Sequence, residues 1–294
     1  MNDRTASAGL AVAFFAGEAK IACNFSRKMK LLFSEARPDY TNYVFPYAVW
    51  AFPEAHETPA DILAAGFLPS TPDLQRFYLC RHTRVALARY AAASENRRIL
   101  RKGEGLDLSL LPVAECGLTP ERREFCRRYA AAKFGPTGMP DERLARLFTS
   151  AVTTHVLRAT DPARGGAEVG LVTLYLEGSR AAFYYYAFYD LSHPNRSLGL
   201  WLMTSAVELL ARHGVEHLYL GTCYSENARY KSQFAGFEFF TGVRWSADST
   251  ELKYLLARQS RSDSPAHLLE EEAYRQSFGA ADLSRLAAQS LFRT

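Results

Sequence analysis

Apolar and polar positions change period several times along the chain, and each change marks an element. The clearest series runs from residue 183 to residue 239. Residues 183–189, FYYYAFY, are aromatic, a composition that strands favour and helices do not. Regular alternation places Tyr184, Tyr186, Phe188 and Asp190 on one face and Phe183, Tyr185, Ala187 and Tyr189 on the other. After a loop at 193–195, residues 196–199 open a helix in which Leu200, Met203, Val207, Leu210 and Ala211 share a face. Gly214 stops it, 217–220 is the next strand, Gly221 breaks that strand, and 227–234 is a short helical segment.

Upstream, the patterns are shorter. Pro59, Ala60 and Asp61 open a helix that Gly66 ends, 42–52 reads as a strand pair around Pro46, and 75–81 and 85–90 read as strands. Residues 94–103 form a helix with a Ser94 cap, the cations Arg97, Arg98, Arg101 and Lys102, and a stop at Gly103. Residues 106–115 make a seam. A helix follows over 120–134, with Phe125 and Tyr129 inward and Arg122, Arg123, Arg127 and Arg128 outward, then a helix over 141–150 and a strand over 167–176. The first 22 residues read as a leader. Beyond 259 the chain is linker-like, then helical over 267–276 and 281–291. This order predicts an α/β protein: an N-terminal α+β domain over 1–112, a larger domain with a mixed central sheet flanked by helices over 113–257, and a helical tail over 258–294.

Composition narrows the class. Of 294 residues, 48% are hydrophobic, enough for a sizeable core, and the net charge of +4 is too small to name a nucleic-acid partner by itself. Five dispersed cysteines fit reduced thiols better than a disulfide framework, so the expected address is the cytoplasm. No apolar run approaches the roughly twenty residues that span a bilayer, and residues 10–17 lack the cationic start of a secretory signal. Cys23, Cys80 and His82 supply at most three soft ligands, and no metal is expected. Lys20, Arg27, Lys28 and Lys30 form either a solvated turn or a phosphate-facing edge.

Four pieces in order carry a resemblance: the strand ending in Tyr189-Asp190, RSLG at 196–199, LYLGTCY at 218–224 and RYKSQF at 229–234. The order is similar to the acyl-accepting half of the GNAT superfamily. It more closely resembles the arginyl-tRNA–protein transferases and their bacterial leucyl-transferring relatives. A fainter match lies in ILAAGFLPS, FYLCRHTRVALARY and ENRRILRKGEGL between 62 and 106. Leu191 stands where the family has proline after the Tyr-Asp, and Cys80-Arg81-His82-Thr83 stands where a Cys-x-x-Cys pair belongs. The resemblance therefore implies a divergent member with a GNAT-type fold and without the first-domain cysteine cluster.

It further implies transfer of arginine or leucine from an aminoacyl-tRNA to a free amine such as a protein or peptide N-terminus, with no resident cofactor. Arg97, Arg98, Arg101 and Lys102 would grip the tRNA backbone, or simply complement the dipole of their own helix. Arg196, Ser197, Leu198 and Gly199 would seat phosphate at a helix N-terminus. Trp201, in the sixth position of that loop, is too large for a close pyrophosphate fit and weighs against acyl-CoA as donor. Together with Tyr184, Tyr186 and Tyr224, it is a candidate to stack the terminal adenosine, the alternative for each being the core. Asp190 would orient and deprotonate the amine or cap the following turn. Tyr230 would donate a proton or pack on Phe234, Lys231 would contact donor phosphates or the oxyanion, and His193 is a possible shuttle. Two other readings remain: a GNAT N-acyltransferase using acetyl-CoA, and a non-catalytic tRNA- or degron-binding relative.

Overall fold

The computed structural model describes residues 29–34, 48–195, 197–259 and 272–279. The first strands, β1 (Lys30–Ser34), β2 (Ala48–Phe52), β3 (Phe67–Pro69) and β4 (Phe77–Leu79), make a small antiparallel sheet in the order β1-β2-β4-β3. Helix α1 (Pro59–Ala64) sits between β2 and β3. The remaining strands build one mixed sheet: β5 (His82–Ala86), β6 (Asp107–Pro112), β7 (His155–Asp161), β8 (Ala167–Glu177), β9 (Ala181–Tyr189), β10 (His217–Thr222), β11 (Phe237–Phe240) and β12 (Trp245–Ser246). Their order is β12-β11-β5-β10-β9-β8-β7-β6, and among the described residues only β9 and β10 run parallel. Helices α2 (Ser94–Arg101), α3 (Val113–Cys116), α4 (Pro120–Phe134), α5 (Asp141–Thr149), α6 (Leu198–Arg212), α7 (Ser249–Gln259) and α8 (Glu272–Phe278) flank it.

Three apolar clusters follow from this layering. One lies between the two sheets and includes Val49, Phe77, Phe183, Tyr219 and Phe240. A second lies under α6 and includes Val85, Leu174, Trp201, Leu202 and Leu218. The third lies beneath α4 and α5, with Cys126, Leu144, Leu171 and Phe188. Polar links tie the sheets together: the Glu177 carboxylate accepts from the Ala60 backbone N–H at 3.0 Å, and Arg180 pairs with Asp61 at 2.6 Å. At the far edge, the fully buried Glu251 accepts from Arg244 at 2.9 Å and from the Tyr274 hydroxyl at 2.7 Å, docking α8 on α7.

The mixed α/β sheet is present, but its strands do not respect a boundary at residue 112. Strand β5 inserts between β10 and β11, and the expected seam at 106–115 is largely the edge strand β6. The strand expected over 85–90 lies at 82–86, because Leu87–Arg89 turns into a 3-10 helix. Strand β7, whose HVLRATD pattern drew no expectation, sits between β6 and β8. Arg122 is not an outward decoration: its guanidinium pairs with Glu168 at 2.8 Å, with only 12% of its side chain exposed. Ser94 lies inside the first turn of α2, whose cap is Ala93, with Asn96 Oδ1 accepting from the Ala93 N–H. The leader, residues 42–47, the linker after 259 and the helix expected at 281–291 lie outside the described residues.

Regular alternation in β9 is the largest correction. The register with β8 slips between Thr173 and Leu174, so that Thr173 faces Tyr186, Leu174 faces Tyr184, and Tyr185 is left over as a bulge. Past the bulge, the faces exchange. Tyr184 then shares the α6 face with Ala187 and Tyr189, while Tyr186 and Phe188 turn toward α4 and α5. One extra residue moves every later side chain to the opposite side.

Candidate active site

Parallel pairing of β9 with β10 covers only Ala181, Ala182 and Phe183 against His217, Leu218 and Tyr219. Beyond that point both strands continue, β9 to Tyr189 and β10 to Thr222, with their facing edges unpaired. Diverging parallel strands open a crevice at their carboxyl ends, where α/β proteins bind ligands. The bulge in β9, against β8, and the irregularity at Gly221 (φ +78°) in β10, against β5, both fall in the stretches beyond this parallel pairing.

Helix α6 begins at the mouth of the crevice. Two of the N–H groups at its opening are already engaged by the preceding turn: Ser197 donates to the Asn195 side chain, and Leu198 donates to the Asn195 carbonyl at 3.1 Å. Gly199 has a packing reason: a Cβ there would lie 2.6 Å from the Tyr189 ring, which crosses the helix at this point. The turn ahead of the helix is fixed by side chains. His193 Nδ1 accepts from the Asn195 N–H at 3.2 Å, which places the proton on Nε2, facing Asp161 Oδ2 at 3.2 Å. Asp161 Oδ1 accepts from the Ala163 N–H at 2.9 Å, and Asn195 Oδ1 accepts from the Ser197 N–H at 3.0 Å. The Asn195 side-chain nitrogen is buried without a partner. Lys102, at the end of α2, donates to Ser197 Oγ at 2.9 Å and joins the basic helix to the RSLG turn. A cleft of about 560 Å³ opens between them, lined by Lys102, Gly105, Asp161, His193 and Asn195.

Across the helix start lies a cluster of phenols. Tyr129 of α4 stands 4.7 Å from Tyr189, ring centre to ring centre. Burial, followed by the neighbouring phenols, pushes Tyr129 and Tyr184 far above the usual tyrosine range. The Tyr184 hydroxyl is buried with no hydrogen-bond partner. Tyr230, half exposed, completes the cluster from the segment after β10. Next to it, burial lowers Lys231 to about 8, and its amine donates to the Thr222 carbonyl at 2.7 Å.

Several candidates fall elsewhere. Asp190 caps its turn, accepting from the Ser192 N–H at 2.9 Å and hydroxyl at 2.6 Å, and it pairs with Arg164 at 2.9 Å. Partial burial raises its pKa, but these hydrogen bonds outweigh that and hold it at about 2, which makes it a weak base. Trp201 is buried against Gly103, where a Cβ would meet the indole at 2.1 Å. Its ring therefore neither stacks in the open nor blocks the loop. Tyr186 meets Arg143 on the opposite face of β9 (2.6 Å), and the Tyr224 hydroxyl accepts from the Arg81 N–H at 3.2 Å, near the small sheet. On α2, Arg101 and Lys102 are exposed, Arg98 pairs with Glu95 at 2.6 Å, and Arg97 bonds the Ala92 carbonyl. Arg196 lies outside the described residues. Sequence reading had no signal for Asp161, 32 residues from His193, or for Tyr129 as part of the site.

Among the described residues, no three metal-ligating side chains gather, and no helix is long and apolar enough to cross a membrane. His82 is fully buried, packed 4.9 Å from Tyr219, and Cys80 is a buried free thiol raised well above its usual pKa by burial.

No family model matches the chain. Among curated proteins, it is 29% identical over 182 residues to the aspartate/glutamate leucyltransferase of Phenylobacterium zucineum, covering 58% of this chain and 68% of that one. The Caulobacter vibrioides enzyme of the same name is 26% identical over 175 residues, 57% of this chain and 62% of its own. That of Halorhodospira halophila is 29% identical over 201 residues, 63% and 81%. The chain thus spans 62–68% of the length of the first two relatives. Among solved structures, the L-PGS of Bacillus licheniformis aligns at a TM-score of 0.38 and 13% identity, over 49% of this chain and 46% of that one. A GCN5-related glucosamine N-acetyltransferase region of a fungal β-N-acetylglucosaminidase gives 0.36 and 12%, over 64% and 23%.

Proposed function

We propose that this chain is an aminoacyl-tRNA-dependent aminoacyltransferase of GNAT-type fold, moving an amino acid to the free amine of a protein or peptide N-terminus in the cytoplasm. The observation that carries this is the sequence relationship to proteins named aspartate/glutamate leucyltransferase. That name favours leucine over arginine as the residue moved, and an N-terminal aspartate or glutamate as acceptor.

Several features of the geometry support this reading. Arg101 and Lys102, with Arg97 and Arg98 beside them, give the donor RNA a cationic approach ending at the RSLG turn. Arg196, with Lys102 beside the RSLG turn, takes a phosphate near the 3′ end through its charge. The aminoacyl ester then enters between β9 and β10. The α-amine of an N-terminus has a pKa near 8, so a useful fraction is neutral at physiological pH without a strong base. Asp190 serves the site through the turn it caps. No resident cofactor takes part; the charged tRNA is the co-substrate.

The test is transfer of labelled amino acids from a total charged tRNA pool to peptides with different N-termini, beside tubes holding labelled acetyl-CoA. Label moving from tRNA to Asp- or Glu-led peptides supports the reading and names the residue moved. One observation keeps the acyl-CoA reading in view: Trp201 is turned into the core, so its bulk does not stand against a pyrophosphate at the RSLG turn. Label moving only from the thioester would establish that alternative and end the tRNA reading.

A further inference from the structure

Buried polar side chains almost always find partners, and an exception calls for an explanation. Tyr184 is such an exception. It is 7% exposed, its hydroxyl has no hydrogen-bond partner, and it is the first residue of β9 beyond the pairing with β10. On the adjacent strand, the similarly buried Tyr175 donates to Glu177 at 2.7 Å, so nothing about a tyrosine in this sheet requires an orphaned hydroxyl. Tyr184 is also held in place. Its ring packs in the core under α6, in the same apolar cluster as Tyr189, and burial together with the Tyr129, Tyr189 and Tyr230 phenols keeps it neutral. A neutral, fixed, unsatisfied donor on the residue where β9 parts from β10 suits an oxygen that gains negative charge only during reaction.

Resting on the aminoacyl-transfer reading, we infer that the Tyr184 hydroxyl is a catalytic hydrogen-bond donor to the carbonyl oxygen of the aminoacyl ester. The neutral acceptor amine attacks the ester carbon, and the carbonyl electron pair moves onto the oxygen that Tyr184 holds. When the pair returns, the bond to the ribose oxygen breaks, and the proton lost by the attacking nitrogen ends on that ribose hydroxyl. Tyr184 keeps its own proton throughout, and the products are the new amide and uncharged tRNA.

The experiment compares wild type, Tyr184→Phe and Tyr175→Phe in steady-state transfer from charged tRNA and in thermal unfolding. The expected result for Tyr184→Phe is a kcat lower by about 10²-fold, as for loss of one oxyanion donor, with KM within about threefold. Its unfolding midpoint should equal or exceed wild type, because an unsatisfied buried hydroxyl has been removed. Tyr175→Phe should do the reverse, losing stability and keeping its rate. Wild-type turnover by Tyr184→Phe overturns the inference, and so does a lowered midpoint, which would mean that the hydroxyl serves the fold. If wild type itself transfers from no charged tRNA, the aminoacyl-transfer reading falls and takes this role with it; a slow Tyr184→Phe cannot then be mistaken for that failure.

Discussion

On one flank of the α6 start, His193 and Asp161 have each of their polar side-chain atoms engaged, and the side chains of Asp190, His193 and Asn195 close the turn, with the Asn195 side-chain nitrogen left unpartnered. On the other flank, Tyr129, Tyr184 and Tyr230 are phenols whose ionisation burial suppresses, Tyr189 packs against Tyr129, and the Tyr184 hydroxyl has no partner. A network with most of its groups paired resists change and makes a good scaffold. An unsatisfied one costs stability until a substrate arrives, and proteins keep such costs at functional sites.

The largest effect that would break this division comes from Gly199. Gly199→Ala drives a methyl to 2.6 Å from the Tyr189 ring and displaces the phenol wall. Transfer should fall by more than about 10²-fold and stability by about 1–3 kcal/mol, the usual range for overpacking, measured by initial rates and urea unfolding. Next is the scaffold side. His193→Ala strips Asp161 Oδ2 of its partner and frees the Asn195 N–H, so about 1–3 kcal/mol of stability should be lost. Its rate per folded molecule should change far less than that of Tyr184→Phe.

Smaller effects sharpen the contrast. Lys102→Met removes an exposed cation from the α2–α6 junction. Stability should move by less than about 0.5 kcal/mol, while tRNA affinity should weaken several-fold and its salt slope should drop by about one, as for a single phosphate contact. Asp190→Asn is the mildest for chemistry, since a carboxylate at about 2 is not the base. Its folded pKa lies below the unfolded value near 3.9. The wild-type contribution is therefore present above about pH 4 and lost as pH falls toward 2. Acid unfolding of the variant should lack that slope, with transfer at pH 7 within about tenfold of wild type.

How much of this was legible in the sequence follows from which interactions are local. Helices α4 and α6 and strands β8 to β10 lie where their periodicity puts them, because each covers one face of a core. The bulge at Tyr185 was not legible. Nothing in FYYYAFY marks where the register with β8 slips, and a period of two was assumed to run on. Strand β5 looked like part of a first domain because pairing with β10, some 130 residues downstream, is a tertiary choice. Asp161 and His193 carry no motif spacing, so their contact appears only once β7 lies beside β8. Trp201 misled for a physical reason: its position in the loop pattern suggested bulk facing the donor, whereas Gly103 opens a slot that takes the indole into the core.

The most direct test of the division between scaffold and chemistry is a paired measurement on Tyr184→Phe and His193→Ala: single-turnover transfer from leucyl-tRNA to an Asp-led peptide, with the unfolding midpoint of each. The account predicts that Tyr184→Phe loses about two orders of magnitude in rate at an unchanged or higher midpoint, while His193→Ala loses several degrees and keeps most of its rate. The opposite pattern, with His193→Ala stable but inert and Tyr184→Phe active, would place the chemistry on the histidine flank and contradict it.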